Sequence, residues 1–394
     1  MPRQDPFRDT QTRRDYVKYG GTVVGGGLLA GCTGRAADEG GSADDESAED
    51  DESTGDDSYT VSMEPAGTVT FEDVPERYVT YKEAWAEMAI ALGRADDLVG
   101  TDLAYGGQSE LNDLFYSELD GVEFPTDDVT DLRGGGEEID KEVFYEIDAD
   151  VHLIDPNLPS VYFDWDNEDT DEVAENVAPF FGSFIRRERD DSWGEEYEFY
   201  GLYESFERVS RLFREEERYE AFAEVHDEML AEIESRLPPE DERPSIGLVN
   251  GGSDPSEGTF YVMDPTAAGY EMKHYRDLGI RDAFADAETG ENGETDYETL
   301  VEYDPDQLFV HWGVTYSDEE FAEAYVEPME NDSVGSELTA VREGRVFKGG
   351  TAEQGPITNL FQTELVARDQ YPDEFGDEEL FDRQRVAEIV AGDL

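Results

Sequence analysis

The run Leu202-Tyr-Glu-Ser-Phe206-Glu-Arg-Val209-Ser-Arg-Leu-Phe213, continued by Phe222-Ala-Glu-Val225-His-Asp-Glu-Met229-Leu-Ala-Glu-Ile233-Glu-Ser-Arg-Leu237, decides the fold. Apolar residues recur mostly at steps of three or four, with Glu and Arg between them, which is the period of an amphipathic helix. Pro238 and Pro239 stop it, because proline cannot donate to a helix and clashes with the preceding turn. Read as one element, the quoted run predicts a helix about 50–60 Å long, longer than one small domain. Similar segments flank it. Upstream stands Asp140-Lys-Glu142-Val-Phe-Tyr-Glu-Ile-Asp-Ala-Asp150, followed by the apolar run from Val151 to Ile154. Downstream stands Asp296-Tyr-Glu298-Thr-Leu-Val-Glu-Tyr-Asp-Pro-Asp306, followed by Leu308 to Val310. The pair predicts two related α/β lobes, over 59–192 and 238–394, joined by the 193–237 helix.

With 394 residues the chain is long enough for two sizeable cores. Its 29 Lys plus Arg against 101 Asp plus Glu give a net charge of -72, the opposite of a nucleic-acid binder. Only Lys18, Lys82, Lys141, Lys273 and Lys348 are lysines. Beyond one N-terminal stretch the acids alternate with Phe, Tyr, Leu and Val at regular periods, so the chain is expected to fold. Self-repulsion of this size is tolerable in high salt, where the Debye length falls to about 3 Å at 1 M. The composition resembles that of extremely halophilic archaea. A single cysteine rules out an internal disulfide and any cysteine-based zinc or iron–sulfur site.

Residues 1–32 read as a targeting segment. Arg13 and Arg14 form a twin-arginine pattern, and the Gly-rich run from Tyr16 to Ala30 is too short and interrupted for a convincing membrane span. It ends in Leu29-Ala30-Gly31-Cys32, which resembles a lipobox, so Cys32 is expected to carry a lipid. The pattern predicts twin-arginine export and anchoring on the outer face of the cytoplasmic membrane. Gly25, Gly26 and Gly27 follow no strand and are not read as a nucleotide loop. Residues 33–58 are almost wholly acidic or small and cannot bury enough surface to order, so they read as an extended tether.

The first lobe reads as strands at Val69–Phe71, Tyr78–Tyr81, Leu98–Thr101 and Val151–Ile154, with helices at Glu83–Leu92 and around Glu142. Gly93 is placed to terminate the first helix. The second repeats the plan: strands at Ile246–Asn250, Leu308–Val310 and Arg345–Phe347, with helices at Ala267–Leu278, around Glu298, at Asn359–Arg368 and at Phe381–Val390. Strands alternating with helices predict parallel sheets covered on both faces.

Assembled in this order, the chain from about Gly67 onward resembles the substrate-binding lipoproteins of ABC importers for ferric siderophores, haem and cobalamin. The resemblance is carried by Gly67-Thr-Val-Thr-Phe71 leading to Pro75-Glu-Arg77-Tyr-Val, by the two segments at Glu142 and Glu298, and by Leu338-Thr-Ala-Val-Arg-Glu-Gly-Arg-Val346. It implies two Rossmann-like lobes bridged by one long helix, with ligand in the cleft between them. It further implies a monomer that delivers a small-molecule metal chelate to permease and ATPase subunits, with no catalytic cofactor of its own. A ferric chelate is the leading ligand; a corrinoid or haem is the alternative. The resemblance also matches Glu142 and Glu298 to acids that meet permease arginines. Their alternative is the ordinary preference of helix N-termini for acids.

In open α/β sheets the ligand lies beyond the carboxyl ends of the strands. That rule selects Tyr81, Trp85, Tyr105 and Trp165 from the first lobe, and Tyr261, Lys273, His274 and Trp312 from the second. Aromatic rings can wall a chelate with little loss of rotamer freedom, although each could equally pack a core. Arg186, Arg187 and Trp193 stand just ahead of the long helix. In so acidic a chain an anionic chelate would need a local positive patch, and an arginine fork suits carboxylate and catecholate oxygens. The four histidines, His152, His226, His274 and His311, are scattered, and could ligate a metal only if the fold gathered them. No Gly-x-Ser-x-Gly, phosphate-binding loop or zinc-protease helix is present, so the sequence points away from an enzyme. A non-transport surface protein, the remaining class, would instead predict β-sandwich repeats.

Overall fold

The computed structural model describes residues 58–103, 114–136 and 138–394. The twin-arginine segment, Cys32, nearly all of the tether and Tyr105 lie outside the described residues. No described helix is long and apolar enough to cross a membrane.

A short antiparallel hairpin opens the fold, β1 (Tyr59–Met63) against β2 (Gly67–Phe71). The first parallel sheet holds β3 (Tyr78–Thr80), β4 (Leu98–Thr101), β5 (Thr130–Asp131) and β6 (Val151–Leu153) in the order β5-β4-β3-β6. In the second lobe, β7 (Ser245–Asn250) is followed by β8 (Phe260–Tyr261), β9 (Arg281–Asp282), β10 (Glu294–Thr295), β11 (Gln307–His311) and β12 (Val346–Lys348). Its parallel sheet has the order β12-β11-β7-β9, while β8 and β10 pair separately. The predicted parallel α/β architecture is therefore present in both halves. The repeat extends to topology: each lobe's first sheet strand lies between the strand that follows it and the strand behind the Glu142 or Glu298 helix. A bridge from His152 to Phe180 occupies in the first lobe the place that β12 holds in the second. The predicted strand at Val69–Phe71 belongs to the hairpin rather than to a sheet.

Strand alternation divides the core. Tyr78, Val151 and Leu153 face inward from the first sheet, and Ile246, Leu248 and Phe309 from the second, and all join one continuous apolar cluster. Val79 and Ile154 pack instead into a separate core of the first lobe, and Val249, Leu308 and Val310 into one of the second. The shared cluster is filled by helices lying between the sheets. The Glu83–Ala91 helix is its centre, with all nine residues buried, and it packs against the Leu202–Phe213, Glu216–Arg236, Pro356–Gln370 and Arg383–Ala391 helices.

The predicted single rod is two helices. Trp193 closes a short 3-10 turn, and the helices run Leu202–Phe213 and Glu216–Arg236, separated at Arg214, whose φ is 54°. The cause is a phase error in the apolar pattern. Phe213 and Phe222 are nine residues apart, and at about 100° per residue the second stripe would emerge half a turn out of phase on a continuous helix. Breaking at Arg214 lets Phe206, Val209 and Phe213 face the same core as Phe222, Val225, Met229 and Ile233. The second helix, about 31 Å long, still links the halves. Arg218 in its first turn donates to Leu92 O at 2.5 Å, and Arg236 in its last turn donates to Glu378 at 2.8 Å.

Candidate ligand cleft

The carboxyl ends of the sheet strands supply one wall from each lobe. Beyond β3 come Tyr81, Lys82 and Glu83; beyond β4 comes Asp102. Asp102 is 1 % exposed and accepts two hydrogen bonds from Arg133, from Nε at 3.0 Å and Nη2 at 3.1 Å, and one from Lys82 Nζ at 3.3 Å. The Lys82 ammonium also stands 4.6 Å from the centre of the Tyr81 ring. Burial opposes its charge, but Tyr81 and Asp102 outweigh that effect and hold its pKa up. Tyr81 itself packs edge-on to Phe163 at 5.0 Å.

The second wall is organised around a residue of the first lobe. The segment before Arg187 crosses over and pairs with the second lobe through Tyr270 N to Ile185 O at 2.9 Å and Glu271 N to Arg186 O at 3.1 Å. Gly269 permits this approach: its φ is +99°, and a Cβ there would lie 2.1 Å from Arg186 O. The Arg186 guanidinium then donates to Glu271 from Nε at 3.1 Å and meets Glu353 at 3.1 Å through Nη1. Tyr270 donates to the other Glu353 oxygen at 2.8 Å. Burial works to raise Glu271, but Arg186 and then His311 prevail and hold its carboxyl at about 2. Trp312, half-buried at the end of β11, places its ring 5.9 Å from the Arg186 guanidinium.

The lobes meet along the Glu83–Ala91 helix. Glu87 accepts a hydrogen bond from Thr358 N at 3.0 Å and another from the Thr358 hydroxyl, so a first-lobe side chain satisfies the start of the second lobe's Pro356–Gln370 helix. Burial nevertheless pushes the Glu87 carboxyl up to about 7, with Thr358 pulling the other way. Beneath this contact His274 is fully buried, with Nδ1 2.8 Å from Gln354 Nε2.

Of the sequence-predicted residues, the structure places Tyr81, Arg186 and Trp312 beside these strand-end charges. Trp85 lies in the shared core, Trp165 in the first-lobe core with Nε1 donating to Ile139 O at 2.9 Å, and Trp193 is stacked on Phe184 at 4.1 Å. Each of these indoles buries more apolar area in a core than a cleft wall offers. Lys273 turns away to Asp277 and to His226 Nε2 at 3.0 Å, and His274 lies below the cleft. Tyr261 is held in β8, and Arg187 is exposed. Glu142 and Glu298 are both exposed in the first turns of their helices. No group of three or more His, Cys, Asp or Glu among the described residues is placed to hold a metal ion.

Sequence reasoning missed Lys82, Glu83, Asp102, Arg133, Tyr270, Glu271 and Glu353. The strand-end rule that selected Tyr81 applied equally to Lys82, Glu83 and Asp102. An open groove of about 520 Å³ beside β12 carries charges of its own, Glu118, Asp318, Lys348, Glu364, Arg368 and Asp369, along with Phe115, Phe347 and Phe361.

The family model described as periplasmic binding protein matches residues 79–352. The chain belongs to that family. It is thus a non-enzymatic, extracytoplasmic solute-binding component of an ABC importer, with a permease partner and a small-molecule ligand. Among solved structures, it is similar to the iron uptake ABC transporter substrate-binding protein PiuA from Streptococcus pneumoniae, at 18% identity and a TM-score of 0.53, over 78% of this chain and 96% of that one. It is also similar to the petrobactin-binding protein YclQ from Bacillus subtilis, at 14% identity and 0.55, over 79% and 98%. A periplasmic solute binding protein from Mycobacterium smegmatis gives 15% and 0.55, over 81% and 99%. No curated protein matches the sequence.

Proposed function

We propose that the cleft captures a ferric chelate and presents it to the permease. The observation that carries this reading is the set of buried charged groups at the strand ends of the two parallel sheets, with Tyr81 beside Lys82 in one and Trp312 beside Arg186 in the other. Rings of this kind cover flat chelate surfaces, while the charged groups fix orientation. The names of PiuA and YclQ, an iron-uptake and a petrobactin-binding protein, lend the reading further support. Delivery would use Glu142 and Glu298 as docking acids. Three residues, Asp148–Asp150 and Asp304–Asp306, turn each helix back into its strand, so each helix start points toward the carboxyl end of the sheet. A lipid on Cys32, added after twin-arginine export, and the 33–58 tether would hold the monomer near the permease. The acidic surface suits operation in high salt. Purification from native membranes in molar salt, with mass spectrometry and iron analysis of the bound ligand, tests the reading. Recovery of a ferric chelate is expected; a corrinoid, haem or an iron-free solute overturns it.

A further inference from the structure

Two glutamates stand one turn apart on the central helix, and their surroundings differ. Glu87 is buried and satisfied by both donors of Thr358. Glu83, the first residue of the helix, is 3 % exposed, yet among the described residues no other residue donates a hydrogen bond to either carboxylate oxygen. The charges that act on it are Glu353 from the opposite wall, then Lys82 and Asp102. Native structures rarely bury a carboxyl group without a partner, because the lost hydration is then uncompensated.

The cations of the cleft cannot fill that role, because each already has an acid of its own. Lys82 and Arg133 share Asp102, and Arg186 is divided between Glu271 and Glu353. Three cations thus face four carboxyl groups, Glu83 included. That balance is of the described residues. A cleft so composed has no surplus positive charge for a polyanion. Among the described residues it holds a buried acceptor, Glu83, to which no other residue donates.

We propose that Glu83 contacts the ligand, and that the cleft selects a chelate carrying an ammonium or equivalent N–H donor over a polyanionic one. The assignment rests on the ferric-chelate reading above and narrows it. Burial, reinforced by Glu353, holds the Glu83 carboxyl at about 8, with Lys82 acting in the opposite sense. At neutral pH the arriving ammonium displaces its proton to solvent, and the resulting carboxylate–ammonium pair takes the place of the buried acid.

The test uses three probes titrated into the purified chain in molar potassium chloride at neutral pH. They are a ferric trihydroxamate bearing a free ammonium, its N-acetylated form, which differs only in lacking that charge, and a ferric tricatecholate. The ammonium form is expected to bind about tenfold tighter than the acetylated one, the worth of one hydrogen bond to a charged group. Glu83→Gln, which keeps the shape, is expected to erase the preference, while Glu87→Gln keeps it. Equal binding of the two trihydroxamates, a preference surviving Glu83→Gln, or tightest binding of the tricatecholate overturns the assignment and leaves the ferric-chelate reading standing. If none of the three binds, the ferric-chelate reading itself fails and takes the Glu83 assignment with it.

Discussion

The two lobes share the order of three adjacent strands, β4-β3-β6 and β9-β7-β11, but furnish their ends with different charges. In the first, two cations, Lys82 and Arg133, converge on one carboxylate, Asp102. In the second, two carboxylates, Glu271 and Glu353, converge on one guanidinium, and that guanidinium arrives from the first lobe. A duplicated fold thus fixes where a site is built and leaves its charge pattern free. The difference also separates what each ion pair does. Asp102 keeps a cation if either Lys82 or Arg133 is lost, whereas Arg186 is the guanidinium shared by both acids of the second wall.

The largest expected effect follows directly. Arg186→Ala leaves two buried carboxylates without their counter-charge and should cost about 3–5 kcal/mol in denaturant unfolding. Glu353→Gln in the same background should recover part of that loss. Arg133→Ala leaves Asp102 with Lys82 and should cost only about 1–2 kcal/mol by the same measurement. Equal losses in the two variants would erase the contrast between the walls.

A second expectation concerns pH. The folded-state pKa of Glu83 is raised from 4.5 to about 8, so the folded state favours its protonated form. Its contribution to stability is complete below about pH 4.5 and is lost as pH rises to about 8, a change of a few kcal/mol. Glu83→Gln should flatten that segment of the unfolding profile, and an unaltered slope would show that another group titrates there. Thr358→Val, which removes one of two donors to Glu87, should cost about 1 kcal/mol. The smallest effect on the fold is expected from reversing charge at Glu142 and Glu298 together. Both are exposed, so the melting temperature should stay the same while import falls. Unchanged import would remove them from docking.

Much of the architecture was legible in the residues. Two acidic helix starts at matching distances from apolar strands marked the repeat, and Gly93, with φ +73°, does end the helix before it. Taken one at a time, the apolar steps fit a single joining helix. The nine-residue step from Phe213 to Phe222 carried the break. The site was legible in part. Strand ends named Tyr81 and Trp312 because aromatic residues were sought there, and the same ends passed over Lys82 and Asp102. Glu271 and Glu353 sit in loops that only tertiary folding brings to Arg186, and among 101 acidic residues nothing local sets them apart. Arg186 was chosen as a source of free positive charge, yet its charge is already matched within the protein.

The inner faces of both sheets close on a single body of helices, with Glu83–Ala91 at its middle. Cutting the chain at Pro238-Pro239 would therefore not release two small proteins. Each fragment would be left with an uncovered oily sheet, so the halves must be made, exported and degraded as one object.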